Sequence, residues 1–162
     1  MSLMLRRRML MAQQDDGNLA NVSLSGRVRC NVSKIDNGYV AEVTEYSSAY
    51  NQYVRLNLTT AEISNSLWGK KIRVSANISN TNEQANPLYR LGYTREDGSW
   101  VKWLDTTTLN DGVVVIEYTL PNTRPDNMSA TKSMAFLVNV QRTDVTPLNI
   151  MTITNIRLEV IE

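Results

Sequence analysis

The stretch LWGKKIRVSANIS, residues 67–79, decides the fold of this chain. From residue 71 onward, apolar and polar side chains alternate without interruption. The apolar positions are Ile72, Val74, Ala76 and Ile78, and the polar positions are Lys71, Arg73, Ser75, Asn77 and Ser79. A period of two over this length is typical of a β-strand with one buried face and one solvent face. Such a strand needs a second apolar sheet to cover its buried face.

Further strands are predicted on both sides of this one. They are expected at residues 22–32, 39–46, 53–58, 88–94, 100–104, 113–120, 134–140 and 151–160. Asp36-Asn37-Gly38 and Glu96-Asp97-Gly98-Ser99 are hairpin turn signals. About eight or nine short antiparallel strands at this spacing indicate an all-β sandwich or barrel. Between two of them, Thr60 could cap a single helical turn.

Two strands carry a change of parity that predicts local irregularity. In the last strand the apolar side chains move from odd positions, at Met151 and Ile153, to even positions from Ile156 onward. A one-residue shift of this kind is explained by a β-bulge at Thr154-Asn155. Trp100 and Trp103 also have opposite parity, so a regular strand would bury at most one of them.

Residues 1–18 form an arm whose composition differs from that of the remainder, residues 19–162. Its apolar and basic side chains are Leu3, Met4, Leu5, Arg6, Arg7, Arg8, Met9, Leu10 and Met11. The alternatives are a flexible tail, the usual state of a terminus, and an arm that packs on another chain, which we favour. In such a contact the Leu and Met side chains would be buried against the other chain, and the arginines would fix how the two chains align.

Composition excludes several classes of function. The 162 residues include no histidine and one cysteine, Cys30, so Cys/His zinc sites and Ser-His-Asp or Cys-His catalysis are excluded. With 17 basic and 16 acidic residues, a net charge of +1 argues against a general binder of nucleic acid. Cys30 alternates with Val28 and Val32, which predicts a small buried residue rather than a reactive thiol.

The sequence contains no apolar run long enough for a transmembrane helix, and its start does not have the pattern of a signal peptide. We therefore expect synthesis in the cytoplasm and no membrane partner.

The sequence from residue 54 onward resembles jelly-roll domains of the carbohydrate-binding-module type. The segments that carry the resemblance are YVRLNLTTAEISNSLWGKKIRVSANIS, LYRLGYTREDGSWVKWLDTTTL and MTITNIRLEVIE. The arm is similar to the Met-Leu-Arg-Arg-Arg-Met starts of structural proteins of tailed bacteriophages. The two resemblances together imply a jelly-roll β-sandwich of a virion protein, such as a head decoration, a head fibre or a tail component.

No constellation of catalytic side chains is found, and the carboxylate pairs lie in turn-like sequence. We predict no enzyme and no cofactor, and no calcium-loop signature is present. Sugar binding stays open, because sugar rings stack on exposed aromatic planes. The candidate residues for a glycan are Trp100, Trp103, Trp68, Tyr50 and Tyr53, although Trp103 and Trp68 could equally be core residues.

The three consecutive arginines have three interpretations: pairing with a neighbouring chain, contact with nucleic acid inside a capsid, or solvation. We favour the first. The chain is thus expected to be a non-enzymatic virion protein, anchored by residues 1–18 to other capsid or tail proteins and assembling with copies of itself. The alternative is a carbohydrate-binding module that recognises bacterial or host glycans.

Overall fold

The computed structural model describes residues 18–48, 52–59, 67–129 and 134–162. The predicted arm up to residue 17, Tyr50 and the predicted helical turn at residues 60–66 lie outside this part of the chain. The described residues form eleven strands and one 3₁₀ turn, Glu83–Ala85. The strands are Asn21–Val28 (β1), Cys30–Ile35 (β2), Gly38–Val43 (β3), Gln52–Thr59 (β4), Lys71–Asn80 (β5), Leu88–Thr94 (β6), Trp100–Thr106 (β7), Leu109–Asn110 (β8), Val113–Thr119 (β9), Met134–Gln141 (β10) and Ile150–Val160 (β11).

The strands form two antiparallel sheets that pack face to face. The five-stranded sheet has the order β1-β4-β10-β6-β7, and the six-stranded sheet has the order β2-β3-β11-β5-β9-β8. This confirms the predicted all-β jelly-roll sandwich. The structure has more strands than the expected eight or nine for two reasons. The predicted strand at residues 22–32 divides in two, and β8, which has only two residues, was not predicted.

The division occurs at Arg29, which takes the left-handed conformation with φ of 51°. The chain leaves the five-stranded sheet at Val28 and enters the six-stranded sheet at Cys30. Cys30 is 5% exposed, as predicted for a small buried residue. Burial raises the pKa of its thiol to about 12, and the charge of Arg27 offsets only part of that rise.

The core lies between the sheets and confirms the alternation in β5. The four apolar side chains of this strand, Ile72, Val74, Ala76 and Ile78, are 0 to 8% exposed. Fully buried residues of β4, β6 and β10 face them from the other sheet: Val54, Leu56, Leu58, Leu91, Phe136 and Val138. Burial of such apolar surface is the main favourable contribution to folding.

The predicted bulge in β11 is confirmed. The register with β5 shifts between Thr154 and Arg157, and Asn155 has φ of 52°. The backbone N–H of Asn155 donates to the Asn37 carbonyl oxygen at 3.0 Å, so the hairpin turn between β2 and β3 holds the bulge. The shift keeps apolar side chains inward on both sides of it.

Buried amides join the two sheets at one end of the sandwich. Gln52, Gln141 and Asn149 are each 0% exposed. Gln52 Nε2 donates to the Gln141 carbonyl oxygen at 3.0 Å, and the Asn149 backbone N–H donates to Gln141 Oε1 at 2.9 Å. Asn149 Nδ2 donates to Asn80 Oδ1 at 2.8 Å and to the Val140 carbonyl oxygen at 2.9 Å. These bonds tie β4 and β10 to the end of β5.

Candidate functional site

The outer face of the five-stranded sheet gathers the side chains that are candidates for function. In β4 the side chains of Val54, Leu56 and Leu58 are fully buried in the core. Because successive side chains of a strand point to opposite faces, the intervening residues of β4 point outward. We define the outer face by these residues and by the residues of β10, β6 and β7 that follow from them in the register: Tyr53, Arg55, Asn57, Leu88, Arg90, Gly92, Thr94, Trp100, Lys102, Asp105, Ala135, Leu137 and Asn139.

The floor of the outer face is formed by the central strand, β10. Every residue of β10 is buried, on the outer side as well as on the core side. Ala135 and Asn139 are 0% exposed and Leu137 is 6% exposed. The side chains of the flanking strands, including Tyr53, Arg55 and Arg90, are half-buried and form the rim.

The ring of Trp100 lies over Gly92 on this face. A Cβ atom added at Gly92 would stand 2.8 Å from Trp100 Cζ2 and 1.9 Å from the Val101 carbonyl oxygen. Only glycine leaves space for this contact. Trp100 is half-buried beside the hairpin turn, close to the position expected from its place in the sequence.

The tip of the β6–β7 hairpin reaches the same face. Arg55 Nη1 donates to the Gly98 carbonyl oxygen at 3.4 Å, although Arg55 belongs to β4, two strands away from β6. The tip itself is a closed turn, in which Asp97 Oδ1 accepts from the Ser99 N–H at 2.8 Å. The Ser99 hydroxyl and this N–H lower the pKa of Asp97. The carboxylate of Asp97 is thus held within its own turn.

Several polar atoms of the outer face are buried without a hydrogen-bond partner. They are Arg55 Nε, Asn57 Oδ1, Arg90 Nε, Thr94 Oγ1, Trp100 Nε1 and both amide atoms of Asn139. Native proteins pair the large majority of their buried polar atoms, because an unpaired one costs about 1–3 kcal/mol. A group of such atoms on one face therefore indicates hydrogen-bonding capacity that this part of the chain does not itself use.

The outer face of the six-stranded sheet is different, because its charged side chains are paired with one another. Arg73 donates to Glu117 Oε1 through Nη2 at 2.8 Å and through Nε at 3.0 Å. Lys71 Nζ lies 3.7 Å from the same carboxylate. The hydrogen bonds from Arg73 lower the pKa of Glu117.

The structure brings two of the predicted glycan residues, Trp100 and Tyr53, to the outer face. Trp103 lies elsewhere: its ring centroid is 5.3 Å from that of Tyr93 and 5.3 Å from that of Tyr118, so it bridges the two sheets. The cause is a register shift between β6 and β7, which leaves Trp103 without a partner.

Trp68 is partly buried against the core in the turn before β5, and Tyr50 is outside the described residues. Sequence reasoning missed the polar members of the outer face, above all Arg55, Arg90 and Asn139. In β4 the inward pattern of Val54, Leu56 and Leu58 already indicated that Arg55 points outward. No comparable pattern in the sequence indicated that Arg90 and Asn139 lie near Arg55, because their strands are far apart along the chain.

A cleft lies at the end of the sandwich near the buried amides. It has a volume of about 540 Å³ and is lined by Asn80, Glu83, Asn86, Tyr89, Thr107 and Leu109 among others. Burial raises the pKa of Tyr89 to about 12, and the Asn80 side chain offsets part of the rise. The Tyr89 hydroxyl is buried without a hydrogen-bond partner, but the outer face holds seven such atoms and is the better candidate site.

Within the described residues, no group of three or more His, Cys, Asp and Glu side chains could hold a metal ion. In the same part of the chain, no helix is long and apolar enough to cross a membrane.

Comparison with known proteins gives similarity of architecture only. No protein-family model and no curated protein matches the chain. Among solved structures, the enzymatically active domain of tailspike protein 4 of bacteriophage CBA120 matches 93% of this chain at 12% identity, with a TM-score of 0.40. Xylanase10C of Cellvibrio japonicus, solved with xylopentaose, matches 90% at 11% identity and a TM-score of 0.49.

The CBM22-1 xylan-binding domain of Paenibacillus barcinonensis Xyn10C matches 91% of this chain at 7% identity, with a TM-score of 0.45. This chain spans 90% of that domain, but only 20% of the tailspike chain and 28% of the xylanase chain. The matched structures thus include a phage tailspike domain and a carbohydrate-binding module. Their TM-scores are below 0.5, so they carry no argument about what this chain binds.

Proposed function

We propose that the β-sandwich is a non-enzymatic glycan-binding module that uses the outer face of its five-stranded sheet. The observation that carries the proposal is the group of unpartnered polar atoms on that face, beside the half-buried rings of Trp100 and Tyr53. Ligand sites for small molecules and sugars typically combine aromatic surface with a few polar groups that fix orientation. The rings would contact the C–H faces of the sugar, and the guanidiniums its hydroxyls.

A glycan array probed with the full-length protein tests this proposal. We expect binding to a subset of bacterial surface glycans, and we expect Trp100→Ala to remove it. Tyr53→Ala should weaken binding but not remove it, because Trp100 is still present. An unchanged unfolding transition in both variants would show that the loss comes from the missing contact and not from a loss of fold. Arg73→Ala, on the opposite sheet, is the matched control and should bind normally. Silence of the wild-type protein across neutral and acidic glycans would contradict the proposal.

We further propose that residues 1–18 anchor the module to a bacteriophage particle, as a head decoration, head fibre or tail protein located in the virion. The support comes from the Met-Leu-Arg-Arg-Arg-Met start and the apolar residues around it. The sandwich's own contacts at this end include Asn18 Oδ1, which accepts from the Leu158 N–H at 3.1 Å, and the Leu19 N–H, which donates to the Leu158 carbonyl oxygen at 2.9 Å.

Removal of residues 2–12 tests the anchoring role, since it spares these contacts. We expect the shortened protein to fold with the stability of the full chain but to be missing from assembled particles. The solution mass of both forms tests self-association, which we expect the arm to promote. Normal incorporation of the shortened protein would contradict the anchoring role and leave the glycan-binding proposal untouched.

A further inference from the structure

Two arginines flank the central strand in the middle of the outer face. Leu137 of β10 pairs with Arg55 of β4 on one side and with Arg90 of β6 on the other. The three residues therefore form one row across three adjacent strands, and their side chains point to the same face. Because adjacent strands are spaced by roughly 4.8 Å, the two arginine Cα atoms are separated by about 10 Å. Long side chains can converge on one group across that distance.

Neither arginine is neutralised by a carboxylate of the described residues. The Arg55 guanidinium makes its one described hydrogen bond to a neutral group, the Gly98 carbonyl oxygen, at 3.4 Å. The Arg90 side chain has no hydrogen bond or ion pair within the described part of the chain, and its Nε is buried without a partner. Asp105 pairs with Arg90 in the register, but its Oδ2 accepts from Lys102 Nζ at 3.0 Å. The positive charge of the row is thus left uncompensated.

Some other arginines in the described ranges lie beside carboxylates, whereas Arg124 and Arg142 donate to backbone carbonyl oxygens. Arg29, Arg73 and Arg157 each lie within 4 Å of a glutamate carboxylate, at distances of 3.8, 2.8 and 3.3 Å. The net charge of the chain is only +1. What sets Arg55 and Arg90 apart is therefore not a general basic excess but their alignment in one row across three strands.

The groups next to the arginines suit a sugar that carries an acid. A guanidinium is a planar fork of donors that matches a carboxylate with two parallel hydrogen bonds. Tyr53, in β4 two residues from Arg55, is half-buried and brings an aromatic ring to the same face. The acid and the ring face of the sugar would each have a matching group.

We infer that the outer face selects carboxylate-bearing polysaccharides and holds the sugar carboxylate between Arg55 and Arg90. This inference rests on the proposed glycan-binding function and names its ligand class. The carboxylate would supply the negative partner that the two guanidiniums lack, while Tyr53 contacts the ring that carries it. Attraction between the charges should make binding depend on ionic strength, because salt screens charges at the rim of a site.

Polygalacturonate and its fully methyl-esterified form test the inference with one backbone in two charge states. We expect the full-length protein to bind the acid at least tenfold more tightly than the ester, since hydrogen bonds to charged groups are stronger than hydrogen bonds between neutral groups. Arg55→Gln and Arg90→Gln should each weaken binding of the acid about tenfold. Arg73→Gln is the control and should not change it. Added salt should weaken binding of the acid only.

The outcomes separate the inference from the proposed function. Equal binding of acid and ester, or binding of neutral glycans alone, overturns the inference and leaves glycan binding standing. Binding of the acid that survives both substitutions overturns the assignment to Arg55 and Arg90. Binding of dextran sulfate without binding of polygalacturonate or alginate overturns the carboxylate specificity. Absence of binding to neutral and acidic glycans alike overturns both proposals.

Discussion

Asn139 and Asn149 are equally buried, each with 0% exposure, but only Asn149 has hydrogen-bond partners for its side chain. Asn149 Nδ2 donates to Asn80 Oδ1 and to the Val140 carbonyl oxygen, and Asn149 Oδ1 accepts from the Asn82 N–H at 3.1 Å. The first amide belongs to the outer face and the second to the end of the sandwich. This contrast separates a buried amide that stabilises the fold through its hydrogen bonds from a buried amide that makes none.

Replacement of each asparagine by leucine should therefore have opposite consequences. Asn149→Leu breaks three hydrogen bonds of a buried side chain and leaves their partners unpaired, which should lower the free energy of unfolding by about 3 kcal/mol. Asn139→Leu removes an amide that has no partner, so stability should stay within about 1 kcal/mol of wild type or rise. Urea unfolding of the three proteins measures both changes. Equal losses would show that Asn139 is paired in solution.

The contact between Gly92 and Trp100 predicts a strong effect of one added methyl group. Gly92→Ala places Cβ 1.9 Å from a backbone oxygen and 2.8 Å from the indole, and we expect a loss of about 2–3 kcal/mol from overpacking. Gly26→Ala is the matched control on the same sheet, because its Cβ would meet Arg55 Nη2 at an ordinary 3.5 Å. Thermal unfolding should show a lower Tm for Gly92→Ala alone.

Much of the framework could be predicted from single strands. The alternation in β5 and the change of parity at Thr154-Asn155 are local patterns, and the structure confirms both. The sheet change at Arg29 was not predicted, since nothing in the residues around it interrupts the alternation. A left-handed residue other than glycine leaves a weak signal in sequence.

The candidate site could be predicted only in part, because it depends on strand order. Trp100 and Tyr53 were candidates from residue type alone. The row that joins Arg55, Leu137 and Arg90 depends on β10 pairing with both β4 and β6, which are far from it along the chain. Periodicity assigns a face to each strand but does not say which strands are neighbours. The position of Trp103 depended likewise on a register shift that the sequence did not locate.

Trp103 should act as a structural residue, since its ring stands between Tyr93 and Tyr118 and joins the two sheets. We expect Trp103→Ala to lower the free energy of unfolding by about 3 kcal/mol, from lost burial and lost ring contacts. Lys102→Ala, its neighbour, removes an exposed ion pair with Asp105 and should cost no more than about 1 kcal/mol. Denaturant unfolding measures both. Similar effects of the two substitutions would contradict the packing role of Trp103.

Stability should fall at high pH because of Cys30 and Tyr89. Burial raises both pKa values to about 12, from ordinary values of 9.0 and 10.0. Below pH 9 both groups are protonated in the folded and unfolded chains and have no effect. Between pH 9 and 12 the unfolded chain releases protons that the folded chain retains, so each group lowers the free energy of unfolding by at most about 1.4 kcal/mol per pH unit. Cys30→Ala should flatten this dependence from pH 9 and Tyr89→Phe from pH 10, measured by urea unfolding between pH 7 and 11. Unchanged slopes in both variants would assign the loss to other groups.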